Sequence, residues 1–371
     1  MKSTPRILVL YEGNPFAGTR GGDVYVQHLL TRLGEQVEII AVNREKLGLR
    51  GAVTGAQYAN AMKAFLADKT WRSPVLLDGS SFYLMAETTR MLKQEGWGPI
   101  VSVLQEWLPA REQGLRMRLH LSRYMFRFVH TVDAHVSVSS WLKKRLTRLG
   151  VSSRNIDVAR PGVPVACFQS AATTVRPPSP VLRIVSAGVY HPSKGQRLLV
   201  EAMGELARRK PDELNQYRVD MYGFISPDSQ SYVVKLRERT AELRIGSAVH
   251  MHEQIGQAQL WETFGASDVF MFMAEGEGLP LVVLESMLHG CVPVVPLGTP
   301  MVELLDGSNF GLSVAPNARA VVAALETVRR RIMSQPLWPS EIAAQAAATT
   351  LPWPDAVEAC AGHVLARMKI E

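Results

Sequence analysis

The sequence predicts an α/β fold of two doubly wound domains, each on a parallel sheet, and three observations carry that prediction. Short apolar runs of strand length alternate with helix-period segments along the whole chain, which is the pattern of βα units and not of hairpins. Each half opens on an apolar run that feeds a Gly-bearing loop and then a helical segment. In the first half residues 7–10 lead to Gly13, Gly18, Gly21 and Gly22; in the second, residues 182–187 lead to Gly188 and Gly195. Between the halves, residues 169–180 (QSAATTVRPPSP) are small, polar and proline-rich, as an interdomain linker is. A chain of 371 residues is long enough for two cores of ordinary size.

Composition narrows the class. With 47% hydrophobic and 20% charged residues the chain reads as soluble and globular. No apolar run reaches the length of a membrane span. The apolar segment near the N-terminus, residues 7–10, is too short for the core of a signal peptide. Cys167, Cys291 and Cys360 are isolated and have no metal-ligand spacing, so a reducing cytosol is expected. A net charge of +7 favours anionic partners such as nucleotide-sugars or acidic lipid. No nucleic-acid partner is expected, because there is neither a compact Lys/Arg block nor zinc spacing.

In chain order, strands are expected at residues 6–11, 37–42, 75–77 and 100–104, with helices at 24–33, 57–67 and 82–94. Residues 111–132 carry five arginines and no acid after Glu112. On a helical wheel Arg116, His120, Arg123 and Arg127 share one face, and Met117, Leu121, Tyr124, Met125 and Phe128 another. Such a helix suits an anionic membrane surface. It equally suits a core-packed helix with solvated arginines. The second half offers strands at 182–187, 217–223, 249–251 and 292–295, and helices at 196–210, 232–243, 259–265, 318–333 and 355–368.

The most informative stretch is 269–295. An apolar strand (269–273) meets a small acidic loop (275–278), and Pro280 opens a helix with Leu281, Leu284 and Leu288 on one face, closed by Gly290. Glu277 stands where the loop leaves the strand, and Glu285 lies about a turn into the helix. In open α/β sheets ligands bind at the carboxyl ends of strands, and a helix N-terminus there favours phosphate. A carboxylate beside that phosphate can accept hydrogen bonds from sugar hydroxyls. The plainer reading is a surface Glu pair on an ordinary crossover.

The run Glu277-Gly-Leu-Pro-Leu-Val-Val-Leu-Glu285-Ser-Met-Leu-His-Gly290-Cys-Val-Pro-Val-Val resembles the E-x7-E signature of retaining GT-B glycosyltransferases of family 4. The resemblance implies GT-B architecture, with two Rossmann-like domains facing across a cleft. Residues 1–170 would bind acceptor, 181–350 would bind donor, and a final helix in 351–371 would cross back onto the first domain. By the same resemblance Glu277 meets the donor sugar, Glu285 the nucleotide ribose, and the backbone of Gly278, Leu279, Pro280 and Leu281 the diphosphate. The stretch from Gly188 to Gly195 resembles the family's phosphate turn, which puts Lys194 in the place of the diphosphate-binding lysine. Val189 replaces the usual arginine, so that contact is either lost or supplied elsewhere, by His191 or Arg197. Gly223 would close the donor site from the next strand.

In the first half, Gly21 and Gly22 match the family's Gly-Gly element, while Gln105 and Glu106 stand where a histidine is usual. The expected activity is a hexosyltransferase-like (EC 2.4) transfer, with retention, from a nucleotide-diphosphate-sugar to an acceptor hydroxyl. Glu277 and Lys194 would be its catalytic residues. No metal or other cofactor is expected. The expected partners are the nucleotide-sugar donor, a glycan or lipid-linked acceptor in polysaccharide, glycolipid or other glycan synthesis, and an anionic surface at the inner face of the plasma membrane. Two other readings stay open: a nucleotide-sugar epimerase on the same fold, and a catalytically lapsed donor-binding partner protein.

Overall fold

The computed structural model describes residues 4–13, 21–104, 114–171 and 179–370. The chain divides into two compact units. One comprises residues 1–162 with 277–279 and 353–371; the other comprises 163–276 with 280–352.

The first unit holds β1 (Arg6–Leu10), β2 (Glu38–Val42), β3 (Val75–Asp78), β4 (Ile100–Leu104), β5 (Ala134–Ser137) and β6 (Ile156–Val158). They form one parallel sheet in the order β2-β1-β3-β4-β5-β6. Its helices are α1 (Gly21–Gly34), α2 (Gly55–Leu66), α3 (Phe82–Gln94), α4 (Gly114–Thr131) and α5 (Ser140–Arg148). The strands β3, β4 and β5 are buried along their whole length, as expected of parallel strands covered on both faces. Even the polar side chains there are paired internally. Ser102 donates to Nδ1 of His135 at 2.7 Å, and the ring's Nε2 donates to the Val129 carbonyl at 3.1 Å. Burial drops the His135 pKa to about 4, so the ring is neutral in the fold.

The second unit begins with α6 (Val165–Ala171) and β7 (Leu182–Ala187), followed by α7 (Gln196–Arg209), β8 (Tyr217–Gly223), α8 (Gln230–Glu242) and β9 (Val249–Glu253). Then come α9 (Gln257–Ala266), β10 (Val269–Met271), α10 (Leu281–Leu288), β11 (Val292–Pro296), β12 (Leu312–Val314), α11 (Ala318–Ser334) and α12 (Trp338–Thr349). All six strands are parallel, in the order β12-β11-β10-β7-β8-β9. Counted within this unit that is 6-5-4-1-2-3, the doubly wound arrangement whose direction reverses between β7 and β10.

Several details differ from the sequence reading. Helix α1 begins at Gly21, three residues early, and α6 takes up the first three residues of the expected 169–180 linker. Strand β10 ends at Met271, two residues early. Pro280 sits at the N-cap of α10 (φ −72, ψ 124) and not within its first turn. Helix α12 was not anticipated, because its alanine-rich body offers no apolar periodicity. It is anchored by Trp338, which is 1% exposed, donates through Nε1 to the Asn309 carbonyl and is covered by the Arg331 guanidinium.

The chain then returns to the first unit as α13 (Trp353–Met368). Val357, Cys360, Ala361 and Val364 of α13 join the core that contains Tyr25, Leu29 and Leu33 of α1. Arg32 pairs with Glu358, and Arg367 grips Asp157 through Nε at 2.6 Å and Nη2 at 2.8 Å. The crossing back of the last helix is therefore present, held by apolar burial and two ion pairs. No described helix is long and apolar enough to cross a membrane.

Candidate active site

The reversal of strand order between β7 and β10 is where an open α/β sheet binds ligands, and two of the motif loops start there. After β7, residues 192–194 make one 3-10 turn, whose N-cap is His191. Nδ1 of His191 accepts from the backbone N–H of Ser193 at 3.2 Å and its hydroxyl at 2.8 Å, so this ring shapes the turn. Gly195 (φ 74) closes the turn and opens α7. A Cβ at Gly195 would meet the Met273 Cβ at 2.5 Å and its carbonyl carbon at 2.7 Å, so only glycine lets the Lys194 turn seat on the chain leaving β10. The Glu275 N–H then donates to the Ser193 carbonyl at 3.0 Å, tying the two loops together.

Gly223, at the end of β8, is needed for a similar reason. A Cβ there would run into the Gly188 carbonyl and lie 3.0 Å from the Tyr190 ring. The buried Tyr190 hydroxyl lies 2.8 Å from the Met221 carbonyl and 3.0 Å from that of His252, so the turn is pinned to β8 and β9. Val189, in the place of the family's arginine, offers its carbonyl to Gln196 Nε2 at 2.9 Å. Arg197, one of the two substitutes considered, pairs with Glu201 at 3.8 Å.

In the loop after β10, Glu277 is half-buried, Gly278 and Leu279 are buried, and Pro280 and Leu281 are half-buried. The first turn of α10 has no side-chain cap, so its N–H groups suit an anion. Glu285 is 5% exposed. Its Oε2 accepts from the Trp261 indole N–H at 3.1 Å and its Oε1 from Gln257 Nε2 at 3.3 Å. No cation pairs with it among the described residues. Burial accordingly raises the Glu285 pKa, and the two hydrogen bonds only partly offset the rise. The nearby Cys167 thiol is pushed up by burial first and by the Glu285 charge second.

In the first unit, Gly21 and Gly22 open α1. Gln105 and Glu106 lie outside the described residues, directly after β4. A polar cluster that sequence reasoning missed occupies the reversal point of the first sheet, between β1 and β3. Glu12 accepts from the Tyr83 hydroxyl at 2.7 Å and from Arg44 Nη1 at 3.2 Å. Ser81 Oγ lies 2.9 Å from Asp78 Oδ2 and 3.4 Å from Glu12 Oε2. The buried Tyr58 hydroxyl and Arg44 Nε have no hydrogen-bond partner among the described residues. A cavity of about 600 Å³ adjoins the cluster, lined by Glu12, Asn43, Arg44, Glu45 and Arg50 among others. The available signal was a polar residue directly at the end of two expected strands, Glu12 and Asp78.

Helix α4 keeps the two faces of the wheel, with two further apolar side chains on the outer one. Met125 and Phe128 are buried, and His120, Arg123 and Arg127 are exposed, but Leu119 (58% exposed) and Phe126 (51%) stand on the outer face beside them. The side chains of Arg116 and Met117 lie outside the described residues. No group of three or more His, Cys, Asp or Glu suited to a metal ion occurs among the described residues.

Residues 175–331 match the family model of glycosyl transferases group 1. The matched segment runs from the linker to α11 and contains Lys194, Glu277 and Glu285. Solved structures share the fold along the chain's whole length. A glycosyltransferase from Rickettsia africae is 16% identical, with 100% of each chain covered and a TM-score of 0.70. Sucrose-phosphate synthase from Thermosynechococcus elongatus is 17% identical over 98% of this chain and 99% of that one, with a TM-score of 0.71. Anabaena HepE, in complex with UDP and glucose, is 15% identical over 98% of this chain and 100% of that one, with a TM-score of 0.67. No curated protein matches the chain in sequence.

Proposed function

We propose that this protein is a glycosyltransferase, which moves a sugar from a nucleotide-diphosphate-sugar to an acceptor hydroxyl with retention of the anomeric configuration. The observation that carries the reading is the joining of two loops at the strand-order reversal of the second sheet. The Lys194 turn seats on Met273 through Gly195, and the chain leaving β10 runs on to Glu277. That HepE, on the same fold, holds UDP and glucose supports a nucleoside diphosphate and a sugar as the ligand chemistry.

In this reading the Lys194 ammonium and the N–H groups of Gly278 to Leu281 meet the diphosphate, as preorganised donors aimed at charge that develops on departure. Pro280 contributes only its conformation, having no N–H. Glu277 holds sugar hydroxyls, Glu285 the ribose, and Gly188, His191 and Gly223 shape the donor turn. The bond from C1 to the phosphate oxygen breaks, and its electron pair leaves with the nucleoside diphosphate. The acceptor oxygen bonds to C1 on the same face, and its proton passes to the departing diphosphate oxygen. Gly21, Gly22, Gln105 and Glu106 serve the acceptor side. The reaction needs no metal.

Titration with UDP, GDP and ADP, and turnover with the corresponding sugar donors, test the reading. Glu285→Ala should weaken nucleotide binding by about 1.5–3 kcal/mol, the value of a hydrogen bond to a charged group. Unchanged affinity in that variant removes the ribose role. Turnover abolished by EDTA and restored by magnesium or manganese removes the metal-free mechanism. Conversion of donor sugar with no acceptor present favours epimerisation.

We further propose that the acceptor is a glycan or lipid-linked compound met at an anionic membrane surface on the cytoplasmic side. The outer face of α4 supports this, with Arg123 and Arg127 flanking the exposed Phe126. Residues 113–156 include nine Lys or Arg but one acid, Asp133, which Lys93 binds at 2.7 Å. An anionic surface would therefore meet little repulsion there. The three cysteines are buried thiols outside any disulfide, in keeping with a reducing compartment.

A further inference from the structure

Granting the ribose role proposed for Glu285, we infer that Trp261 and Gln257 clamp its carboxylate as a reader of the ribose cis-diol. Trp261 would then set the enzyme's preference for ribonucleotides over 2′-deoxynucleotides while touching no ligand itself. Glu285 is a buried carboxylate with neutral donors and no counter-cation among the described residues. An ionised carboxylate accepts about four hydrogen bonds. One donor on each oxygen leaves each oxygen with capacity for one more, and two adjacent acceptors match two adjacent hydroxyls.

The two donors are not equivalent. Trp261 is 7% exposed, and an indole has a single donor in a fixed direction. Its ring lies nearly parallel to that of His289, 6.3 Å away at 18°. His289 is itself held, with Nδ1 at 2.8 Å from the Glu285 carbonyl and Nε2 at 3.2 Å from Ser170 Oγ. The arrangement Trp261–His289–Glu285 closes on itself between α9 and the C-terminal end of α10, where His289 is the C-cap. Gln257 lies in the first turn of α9, is exposed and makes the longer bond, so its amide can adjust when a ligand enters. Trp261 therefore fixes the aim of the carboxylate and Gln257 accommodates.

The arrangement also bears on pH. A protonated Glu285 would turn one acceptor into a donor and lose one of the two diol contacts. Burial already favours that form, and the indole N–H opposes it by hydrogen-bonding the ionised oxygen. Removing the indole N–H should therefore move the acid limb of ribonucleotide binding to higher pH, an effect that loss of packing alone would not produce.

The experiment measures binding of UDP, GDP and ADP, each against its 2′-deoxy form, from pH 5 to pH 8. Wild type, Trp261→Phe, Gln257→Ala and Glu285→Gln are compared, with thermal unfolding as a check on folding. Wild type should prefer the ribonucleotide about tenfold or more. Trp261→Phe should cut the preference to about threefold or less and shift the acid limb upward, and Gln257→Ala should change it less. If Glu285→Gln loses the preference but Trp261→Phe keeps both preference and pH profile, the clamp is refuted and the ribose role stands. If Glu285→Gln keeps the wild-type preference, or wild type binds none of the three nucleotides, the ribose role fails and the clamp with it. Should Trp261→Phe not fold, Trp261→Leu, which has no donor, and Trp261→His, whose ring can restore one, decide the question. Loss of the preference in a folded Trp261→Leu with recovery in Trp261→His would support the clamp, and a wild-type preference and pH profile in Trp261→Leu would overturn it.

Discussion

Replacing Gly195 by alanine tests whether the Lys194 turn is seated where the donor site needs it. Gly195 has φ 74, a left-handed conformation that costs an L-residue about 1–2 kcal/mol. The added methyl must also displace Met273, whose Cβ and carbonyl carbon would lie 2.5 and 2.7 Å away. Met273 cannot simply retreat. Phe272 donates to the Val294 carbonyl at 3.1 Å and Glu275 to the Ser193 carbonyl at 3.0 Å, so the backbone is held on either side. Overpacking of this kind costs about 1–3 kcal/mol, for a total of about 2–5 kcal/mol. Gly298 supplies the control. It lies in the same unit at φ 76, and a Cβ there would meet nothing within 4 Å, so Gly298→Ala should lose only the conformational part, about 1–2 kcal/mol. Urea unfolding of the two variants, monitored by fluorescence and circular dichroism, reads the difference. If Gly195→Ala is no less stable than Gly298→Ala, the close approach to Met273 is not what requires a glycine there.

Three further outcomes are expected. His135 has a folded pKa of about 4 against 6.5 when free, so the unfolded chain takes up a proton first as pH falls. Stability should drop between pH 6.5 and 4, by on the order of 3 kcal/mol at the lower end, and His135→Gln should flatten that slope in pH-dependent urea titrations; an unchanged slope sinks the assignment. Arg367 holds the Asp157 carboxyl below the usual range, a contribution present above the free pKa and lost as pH falls through the lower folded value. Asp157→Asn should therefore speed hydrogen exchange in α13 at pH 7 and reduce acid sensitivity below about pH 4, and exchange equal to wild type would contradict that anchoring role. Arg123→Gln with Arg127→Gln should reduce pelleting with anionic vesicles, each arginine contributing on the order of 1 kcal/mol near the surface, and salt should weaken the wild type likewise. Equal pelleting of variant and wild type would leave the arginines as solvated side chains.

Several elements were legible almost residue by residue. Strands Leu182–Ala187 and Ile100–Leu104 and helix Phe82–Gln94 fall where the apolar runs and periodicity put them. Their signals are local, because a buried parallel strand needs an unbroken apolar run and an amphipathic helix repeats every 3.6 residues. The Lys194-Gly195 turn and the Glu277–Glu285 spacing stood out in another way, through their resemblance to family motifs, each contained within about ten residues. Helix α12 was not, because alanine carries little contrast between its faces.

The sequence by itself determined the alternation of strands and helices, the two-sheet plan, and which residues stand at strand ends. Only the tertiary structure decided what those residues meet. Glu285 is bonded to Trp261, twenty-four positions away, and Glu12 to Tyr83, seventy-one away. On α4, periodicity grouped residues into faces, but the neighbouring elements decided that Met125 would be buried and Phe126 left outside. Periodicity states which side chains share a face; burial, hydrogen-bond partners and pKa depend on the surface brought against that face. That surface comes from parts of the chain that local sequence does not specify.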